Sequence, residues 1–416
     1  MKLLLEHIRE LVQVEDEPVP FRSGQEMAQV TTIRDAFLII QDELIQDFGT
    51  MSQLKDVYQD DDFLIEIDCS NRLVYPTYCD SHTHLVFPAS REQEFAGRIR
   101  GFSGGREQSG EGVRQAARLL HDMPDEKLYY SAMDRINEIM KTGTGAVEIK
   151  SGYGLNPADE LRMLRIIKWI RETSSLCVRA TFMGAHVLPE AYRHRKSAYV
   201  DLVINEMIPQ VASEELADFI DVYCDRGYFS VEDTDRILMA GIKYGLRPKV
   251  HANKLGNTGG VEVGVKYNAL SVDHLLHIGA HEIEILKDSE TMPTVLPGVS
   301  FFMDTGLAPV REMIQAGLPV ALASGYNPGT APGGNMNLIS SLACIQHKML
   351  PEEVIHATTL NSAYAMGVSN RLGSIARGKI ANVFITTEIP GIDYLPYSLG
   401  SNLVETVILN GEVQSF

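Results

Sequence analysis

Hydrophobic residues follow two spacings along most of this chain. From about residue 72, short runs rich in apolar and β-branched residues are typical of buried strands. Between them, apolar residues recur every three or four positions, as at Leu161, Leu164, Ile167 and Ile170, which predicts amphipathic helices. The runs predicted as strands are RLVYPTYC, GAVEIK, CVRATFMGA, DFIDVYC, RPKVHA, ALSVDHL, TMPTVLP and LPVALASG.

Eight strands interleaved with helices predict an α/β fold, a parallel (β/α)8 TIM-type barrel over residues 73–371. A barrel of this kind usually takes about 250 residues, which this segment can supply. A doubly wound open sheet would show the same alternation. The number of runs therefore favours the barrel without excluding the open sheet.

The two ends of the chain carry a different pattern. Near the N-terminus, DAFLIIQDELIQDFG predicts two short strands, Phe37–Ile40 and Leu44–Phe48, joined by a polar turn. After Leu372, GSIARGKIANVFITTEIP and NLVETVILNGEVQSF also indicate short strands. We therefore expect a small β-sandwich domain built from residues 1–72 and 372–416.

Composition narrows the classes of function. The chain has 416 residues and a formal net charge of -18, which argues against a nucleic-acid or anionic-membrane partner but not against a small anionic substrate. No apolar run approaches the length of a membrane span, and the leucine run at the start is too short for a signal sequence. Five scattered cysteines without a CxxC pair argue against a disulfide framework. We expect a cytoplasmic protein.

Five of the twelve histidines fall at the ends of predicted strands. His82 and His84 follow the first strand, and residues two apart on a strand point the same way. His186, His251 and His274 end the third, fifth and sixth strands. Active sites of such barrels form at the C-terminal strand ends, so these imidazoles are expected to meet. Imidazoles suit zinc or iron, and three ligands with an open position are typical of a hydrolytic metal site.

Each of these features also has an ordinary explanation. Roughly one chain in three of this composition would contain an HxH pair by chance. A single histidine is more often a hydrogen-bonded polar residue than a ligand, and SGYG and NPG are usually turns. The agreement of several imidazoles at one rim is what favours a site.

The motifs DSHTHLVFPASREQEF, EIKSGYGL, TFMGAHVLP, IDVYCDRGYFS, NALSVDHL, LASGYNPG and GKIAN resemble the imidazolonepropionases of the amidohydrolase superfamily. The resemblance spans about residues 70–410. It implies hydrolysis of 4-imidazolone-5-propanoate to N-formimidoyl-L-glutamate in histidine degradation, by a metal-activated water in a homodimer. No lysine ends the fourth strand, where binuclear relatives carry one, so the resemblance implies one ion, zinc or iron.

The resemblance also implies a role for each matching residue. His82, His84 and His251 match the metal ligands, and His274 matches a catalytic histidine that polarises the carbonyl or moves a proton. The guanidinium fork of Arg91 suits the substrate propionate. The other residues that match substrate-binding positions are Tyr153, His186, Asn327, Gly329 and Thr330.

Two residues depart from the family pattern. Gly325 stands where the family has an aspartate that binds the metal and accepts the proton of the water, and Lys254 stands where glutamine or glutamate is usual. We therefore expect impaired turnover, and we expect Gly325→Asp to restore metal occupancy and activity. The alternatives are a catalytically silent homologue that binds a small anionic ligand or a partner, and a related cyclic amidohydrolase with a shifted substrate.

Overall fold

The computed structural model describes residues 2–57, 65–101 and 110–416. The N-terminal strands are β1 Lys2–Val12, β2 Thr32–Gln41, β3 Leu44–Thr50, β4 Ile65–Asp68 and β5 Arg72–Pro76. The central strands are β6 Tyr78–Thr83, β7 Thr144–Lys150, β8 Cys177–Ala185, β9 Phe219–Cys224, β10 Arg247–Ala252, β11 Ser271–His274, β12 Met292–Val295 and β13 Ala321–Leu322. The C-terminal strands are β14 Val383–Glu388, β15 Val404–Leu409 and β16 Glu412–Val413.

The central strands form the predicted barrel. Strands β6 to β13 are parallel, and each pairs with its neighbours in chain order. The segment after β13 returns to β6, because Gly325 N donates to His82 O at 3.1 Å and His84 N donates to Tyr326 O at 2.8 Å. These bonds bring the last strand end beside the first, so the (β/α)8 barrel is confirmed.

Helices fill the connections between the strands. Those described are α1 Met51–Val57, α2 Glu92–Ile99, α3 Glu111–His121, α4 Asp125–Lys141, α5 Pro157–Thr173, α6 Lys196–Leu202, α7 Ile208–Ser213, α8 Val231–Lys243, α9 Gly260–Lys266, α10 Ala280–Lys287, α11 Pro297–Met303, α12 Val310–Gln315, α13 Met336–His347, α14 Pro351–Thr358, α15 Leu360–Ala365 and α16 Tyr394–Tyr397. The apolar stripe predicted on α5 is buried against the barrel. Among the described residues, no helix has the length and apolar content to cross a membrane.

The strands at the two termini form a separate sheet in the order β16-β15-β14-β5-β1-β2-β3, with β4 also paired to β1. Alternate residues of β1 and β2, such as Leu5 and Leu38, pack into one apolar cluster. On the opposite face, Leu4, Phe37 and Ile39 pack with α1. The predicted β domain built from both termini is confirmed, while its bounds at residues 72 and 372 stay a prediction.

Two strand predictions need correction. The run RLVYPTYC is not one barrel strand: β5 pairs with β1 and β14 in the terminal sheet, and only β6 belongs to the barrel. Strand β1 was also not predicted, because KLLLEHIRELV lacks a strict two-residue alternation. Pairing with β2, β4 and β5 stabilises it as a strand, which illustrates how far sheet context overrides local pattern.

Candidate active site

The imidazoles singled out by the sequence meet at the C-terminal ends of the barrel strands. His82 lies in β6 with His84 directly after β6, His186 follows β8, His251 lies in β10 and His274 ends β11. All five side chains are buried and line one cavity of about 70 Å³. The barrel therefore brings together residues that are up to 192 positions apart in sequence.

Three of the rings converge most closely. The ring centres of His82 and His251 lie 4.4 Å apart, and His274 lies 5.1 Å from His251 and 5.2 Å from His82. One ring nitrogen from each of the three lies within 4.8 Å of the others. The His84 ring is slightly farther away, at 5.6 Å from His82 and 5.8 Å from His251.

Buried carboxylates orient two of these rings. His82 Nδ1 lies 2.7 Å from Asp273 Oδ2, and His251 Nδ1 lies 2.9 Å from Asp221 Oδ2. Nδ1–H donates to an ionised carboxylate, which leaves the Nε2 lone pair of each ring available. A carboxylate behind an imidazole is the usual support of a metal-binding histidine.

Backbone carbonyls orient the next two rings. His84 Nδ1 donates to Ser151 O at 3.3 Å, and His186 Nδ1 donates to Gly152 O at 2.9 Å. A carbonyl oxygen only accepts, so both rings carry their proton on Nδ1. The two rings stack with centres 5.2 Å apart, and Tyr153 lies 5.8 Å from each.

His274 differs from the other four histidines. Its Nδ1 is buried and has no hydrogen-bond partner within the described part of the chain. Its backbone has φ 86°, and Leu275 follows with φ 62°. Left-handed conformations are costly for such residues and persist where the surroundings enforce them, often at functional sites.

A layer of buried charges lies beneath the imidazoles. Lys150 Nζ donates to Glu148 Oε1 at 2.6 Å and to Asp221 Oδ2 at 2.8 Å, and it lies 3.7 Å from Asp273 Oδ2. Lys249 Nζ pairs with Glu148 Oε2 and donates to Ser81 O at 3.2 Å. Three carboxylates face two ammonium groups, so the layer carries one excess negative charge when all five groups are ionised, while burial raises the pKa of Asp273. That charge favours a cation at the imidazoles above it.

The surroundings keep the imidazoles of His82, His84, His186 and His274 neutral. Burial lowers the pKa of His82, His84 and His274 well below the usual value for histidine, and neighbouring histidine and lysine side chains lower it further. Burial lowers the pKa of His186 to about 3. Neutral imidazoles have the lone pair that metal binding and proton acceptance require.

Arg91 precedes α2 and lines the cavity with its guanidinium group. Its Nε donates to Glu94 Oε1 at 2.7 Å and its Nη2 to Glu94 Oε2 at 2.5 Å. The group lies between two glycines. A methyl group added at Gly112 would lie 1.6 Å from Nη2, and one added at Gly329 would lie 2.2 Å from Nη1. Both positions therefore need glycine for this arginine to reach the cavity.

The loop after β13 is folded around Asn327. Its Oδ1 accepts from Gly329 N at 2.9 Å and from Thr330 N at 2.8 Å, and its Nδ2 donates to Gly325 O at 2.7 Å. Asn327 and Thr330 line the cavity, whereas Gly329 contributes by leaving space for Arg91. The side chain of Asn327 thus holds the whole turn together.

Gly325 and Lys254, the two residues that depart from the family pattern, also line the cavity. Gly325 has φ 68°, and a methyl group added there would lie 2.6 Å from Val299 Cγ2 and 2.8 Å from Leu296 Cδ2. Lys254 lies near enough to His274 to contribute, after burial, to the lowering of that pKa. Among the described residues that line the cavity, none is aspartate or glutamate.

These observations agree with a metal centre of imidazole ligands. The oriented rings of His82 and His251 and the negative layer below them favour a bound cation. The centre lacks a carboxylate ligand at position 325. The residues present therefore fit a metal, with fewer ligands than the family pattern implies.

The supporting charges of the site were not predicted from the sequence. Asp221, Asp273, Glu148 and Lys150 hold the rings and each other, although no role was predicted for them. A signal was present, because Glu148 and Lys150 are two residues apart in an otherwise apolar strand, as His82 and His84 are. Charged residues on the inward face of a barrel strand indicate a buried network.

Comparisons with known proteins agree with this arrangement. The model of the amidohydrolase family matches residues 73–413. Over 414 residues the chain is 48% identical to imidazolonepropionases of Flavobacterium johnsoniae and of Christiangramia forsetii, covering 99% of this chain and 100% of each relative. The solved structure of E. coli guanine deaminase has a TM-score of 0.73 and 13% identity, covering 100% of this chain and 99% of that one, which shows the fold alone. The chain therefore belongs to the amidohydrolase family, and within it to the imidazolonepropionases, which are hydrolases.

Proposed function

We propose that this chain hydrolyses 4-imidazolone-5-propanoate to N-formimidoyl-L-glutamate in histidine degradation. The observation that carries the proposal is the convergence of ring nitrogens from His82, His251 and His274 at the mouth of a barrel whose relatives are imidazolonepropionases. The comparisons favour this reaction over a silent binding protein and over a cyclic amidohydrolase with a shifted substrate.

We further propose one zinc or iron ion, held by His82, His84 and His251. The carboxylates behind His82 and His251 and the excess negative charge of the buried layer support binding of a cation. When bound, such an ion acts as a Lewis acid and lowers the pKa of a coordinated water to about 7. Strand β9 ends in Tyr223–Cys224 without a lysine, which supports a single ion.

Arg91 is the proposed partner of the substrate propionate. We expect the carboxylate to approach the guanidinium group on the side where Gly329 has no side chain. Burial raises the pKa of Tyr153, so its hydroxyl stays a neutral donor to the ring. The Nε2 lone pair of His186 can accept from a ring N–H. Asn327, Gly329 and Thr330 complete the pocket around the opened product.

The water must lose its proton without help from residue 325. No described cavity residue is a carboxylate, so we expect an imidazole to accept this proton. His274 is the ring with an unpartnered nitrogen. His274 polarises the carbonyl or carries the proton. The loss of a well-placed general base typically lowers turnover by about 10²–10⁴-fold, and we expect a slow enzyme.

The proposal also covers the class of substrate, the oligomeric state, the cellular location and the domain bounds. A small anionic imidazolone is the substrate, and a homodimer and a cytoplasmic location accord with the family resemblance. Five free cysteines are compatible with a reducing compartment. The domain bounds 1–72, 73–371 and 372–416 stay part of this proposal.

The proposal is tested by metal analysis and an assay on freshly made imidazolonepropionate, with Arg91→Ala as the diagnostic variant. We expect product formation by the wild type and a loss of about 2–5 kcal/mol in substrate binding for Arg91→Ala. Arg100→Ala, an exposed arginine at the end of α2, is the matched control and should behave as the wild type. Equal binding by all three proteins would contradict the role of Arg91.

A further inference from the structure

Glu160 is a fully buried carboxylate that the proposed reaction does not use. It lies in the first turn of α5 and is 0% exposed. Its Oε1 accepts from Gly154 N at 2.8 Å and from Leu155 N at 3.0 Å, and its Oε2 accepts from Gly152 N at 3.1 Å. One carboxylate therefore accepts hydrogen bonds from three backbone N–H groups of the loop formed by residues 151–155.

The loop formed by residues 151–155 lies against the substrate side of the cavity. Tyr153 lines the cavity, and Gly152 O accepts the hydrogen bond that orients the His186 ring. Both residues belong to the proposed contacts with the imidazolone. The backbone that Glu160 holds is thus the backbone that sets the position of both side chains.

Two glycines make the contact between loop and helix close. A methyl group added at Gly154 would lie 2.3 Å from Glu160 N and 2.6 Å from Asp159 C. Gly152 has φ 108°, a conformation that favours glycine, and a methyl group there would lie 2.8 Å from His186 Nδ1. The loop therefore has little freedom to shift while Glu160 holds it.

The metal side of the cavity has its own supports. Asp273 and Asp221 orient His82 and His251. His84 Nδ1 donates to Ser151 O. Ser151 is in turn held against β8, because its N donates to Thr181 O at 3.0 Å and its Oγ accepts from Met183 N at 2.9 Å. A disturbance at Glu160 should therefore reach Tyr153 and His186, whereas His82 and His251 keep their own carboxylate supports.

We propose that Glu160 is a positioning residue for substrate binding, which fixes the loop of residues 151–155 and through it Tyr153 and His186. The identity of the bound ring rests on the proposed function, but the positioning does not. The neutral amide of Glu160→Gln keeps one acceptor oxygen and turns a donor toward the loop. We expect the Gly152 end of the loop to move, because that donor would face another N–H.

The test compares Glu160→Gln with Glu172→Gln, which changes an exposed glutamate of the same helix. We expect Glu160→Gln to raise KM by about 10–100-fold, with a smaller change in kcat and unchanged metal content, since misplacement by about 1 Å has effects of that size. Glu172→Gln should match the wild type. A lower melting temperature with an unchanged KM would assign Glu160 a structural role only and overturn the proposal.

A second readout does not depend on turnover. With ¹⁵N-labelled histidine, the slowly exchanging Nδ1–H signal of His186 should weaken or shift in Glu160→Gln, while that of His251 persists. If Glu160→Gln fails to fold, Gly154→Ala moves the same loop with the carboxylate intact and should give the same two effects. A wild type without turnover would overturn the proposed function alone, whereas an unmoved His186 signal would overturn the positioning role.

Discussion

The ends of β6 and β10 differ sharply from the end of β13. The first two strands present His82 and His251, each held by a buried carboxylate. After β13, Gly325 presents no side chain, and Leu296 and Val299 lie where one would project. His82 and His251 are thus each held by a carboxylate. Position 325 supplies no carboxylate ligand, and apolar side chains occupy the space that one would need. Restoring position 325 requires changes at its neighbours as well.

The largest expected effect concerns the buried layer that supports β6 and β10. Lys150→Met should destabilise the fold by about 3–5 kcal/mol, because it leaves Asp221 without a buried lysine partner and leaves Glu148 with Lys249 alone. Denaturant unfolding measures the change. Lys127→Met, at an exposed position of α4, should stay within about 0.5 kcal/mol of the wild type. Equal stability of both variants would mean that the layer is not a coupled network.

The next effect concerns the support of a single ligand. Asp221→Asn should weaken metal binding by about 10–100-fold, because the amide no longer holds the His251 ring as an ionised acceptor. Metal titration of the metal-free protein gives this value. Asp201→Asn, which touches only a surface ion pair with Arg236, is the control. Unchanged metal affinity in Asp221→Asn would remove the contrast between the supported strand ends and β13.

The structure sharpens the expectation for Gly325→Asp. An aspartate would adopt φ near 68° and press on Val299 and Leu296, so the single variant should lose about 1–3 kcal/mol of stability. The double variant with Val299→Ala should recover part of that loss and bind metal more tightly than the wild type. Chemical denaturation and metal titration measure the two quantities. A single variant as stable as the wild type would show that the space at 325 is open.

The smallest effect tests whether burial alone depresses a histidine pKa away from the site. Burial lowers the pKa of His356, whose Nε2 donates to Gln29 O at 3.0 Å. Below about pH 6.5 the unfolded chain binds a proton that the folded chain does not, so stability falls as pH falls, by up to about 1.4 kcal/mol per unit. His356→Gln should flatten this slope in unfolding measured from pH 7 to 5. Exposed His194→Gln should leave it unchanged.

The fold was predictable where the residue pattern of a segment and the length of that segment indicate the same element. The alternation of strands and helices predicted the barrel, because the strand runs are mostly apolar and the helical segments between them are amphipathic. The limits of β5 and β6 were not predictable, since one apolar run continues from the terminal sheet into the barrel with only Thr77 between them. Residue pattern alone does not reveal which sheet a strand joins.

The positions of the site histidines were predictable from the sequence, but the carboxylates that hold the rings and the neighbouring loop were not. The HxH spacing and the strand-end positions of His186, His251 and His274 placed five rings at one rim. The links from Asp221, Asp273 and Glu160 could not be predicted, because the first two cross between strands and the third crosses from a helix to a loop. Hydrogen bonds between elements depend on packing that a single sequence does not specify.

The most direct test of the account is the turnover of freshly made 4-imidazolone-5-propanoate by two metal-loaded proteins, the wild type and the Gly325→Asp/Val299→Ala variant. We expect both proteins to form N-formimidoyl-L-glutamate and the variant to be faster by about 10²–10⁴-fold, the usual contribution of a general base. A variant no faster than the wild type, or a wild type that forms no product under any metal loading, would contradict it.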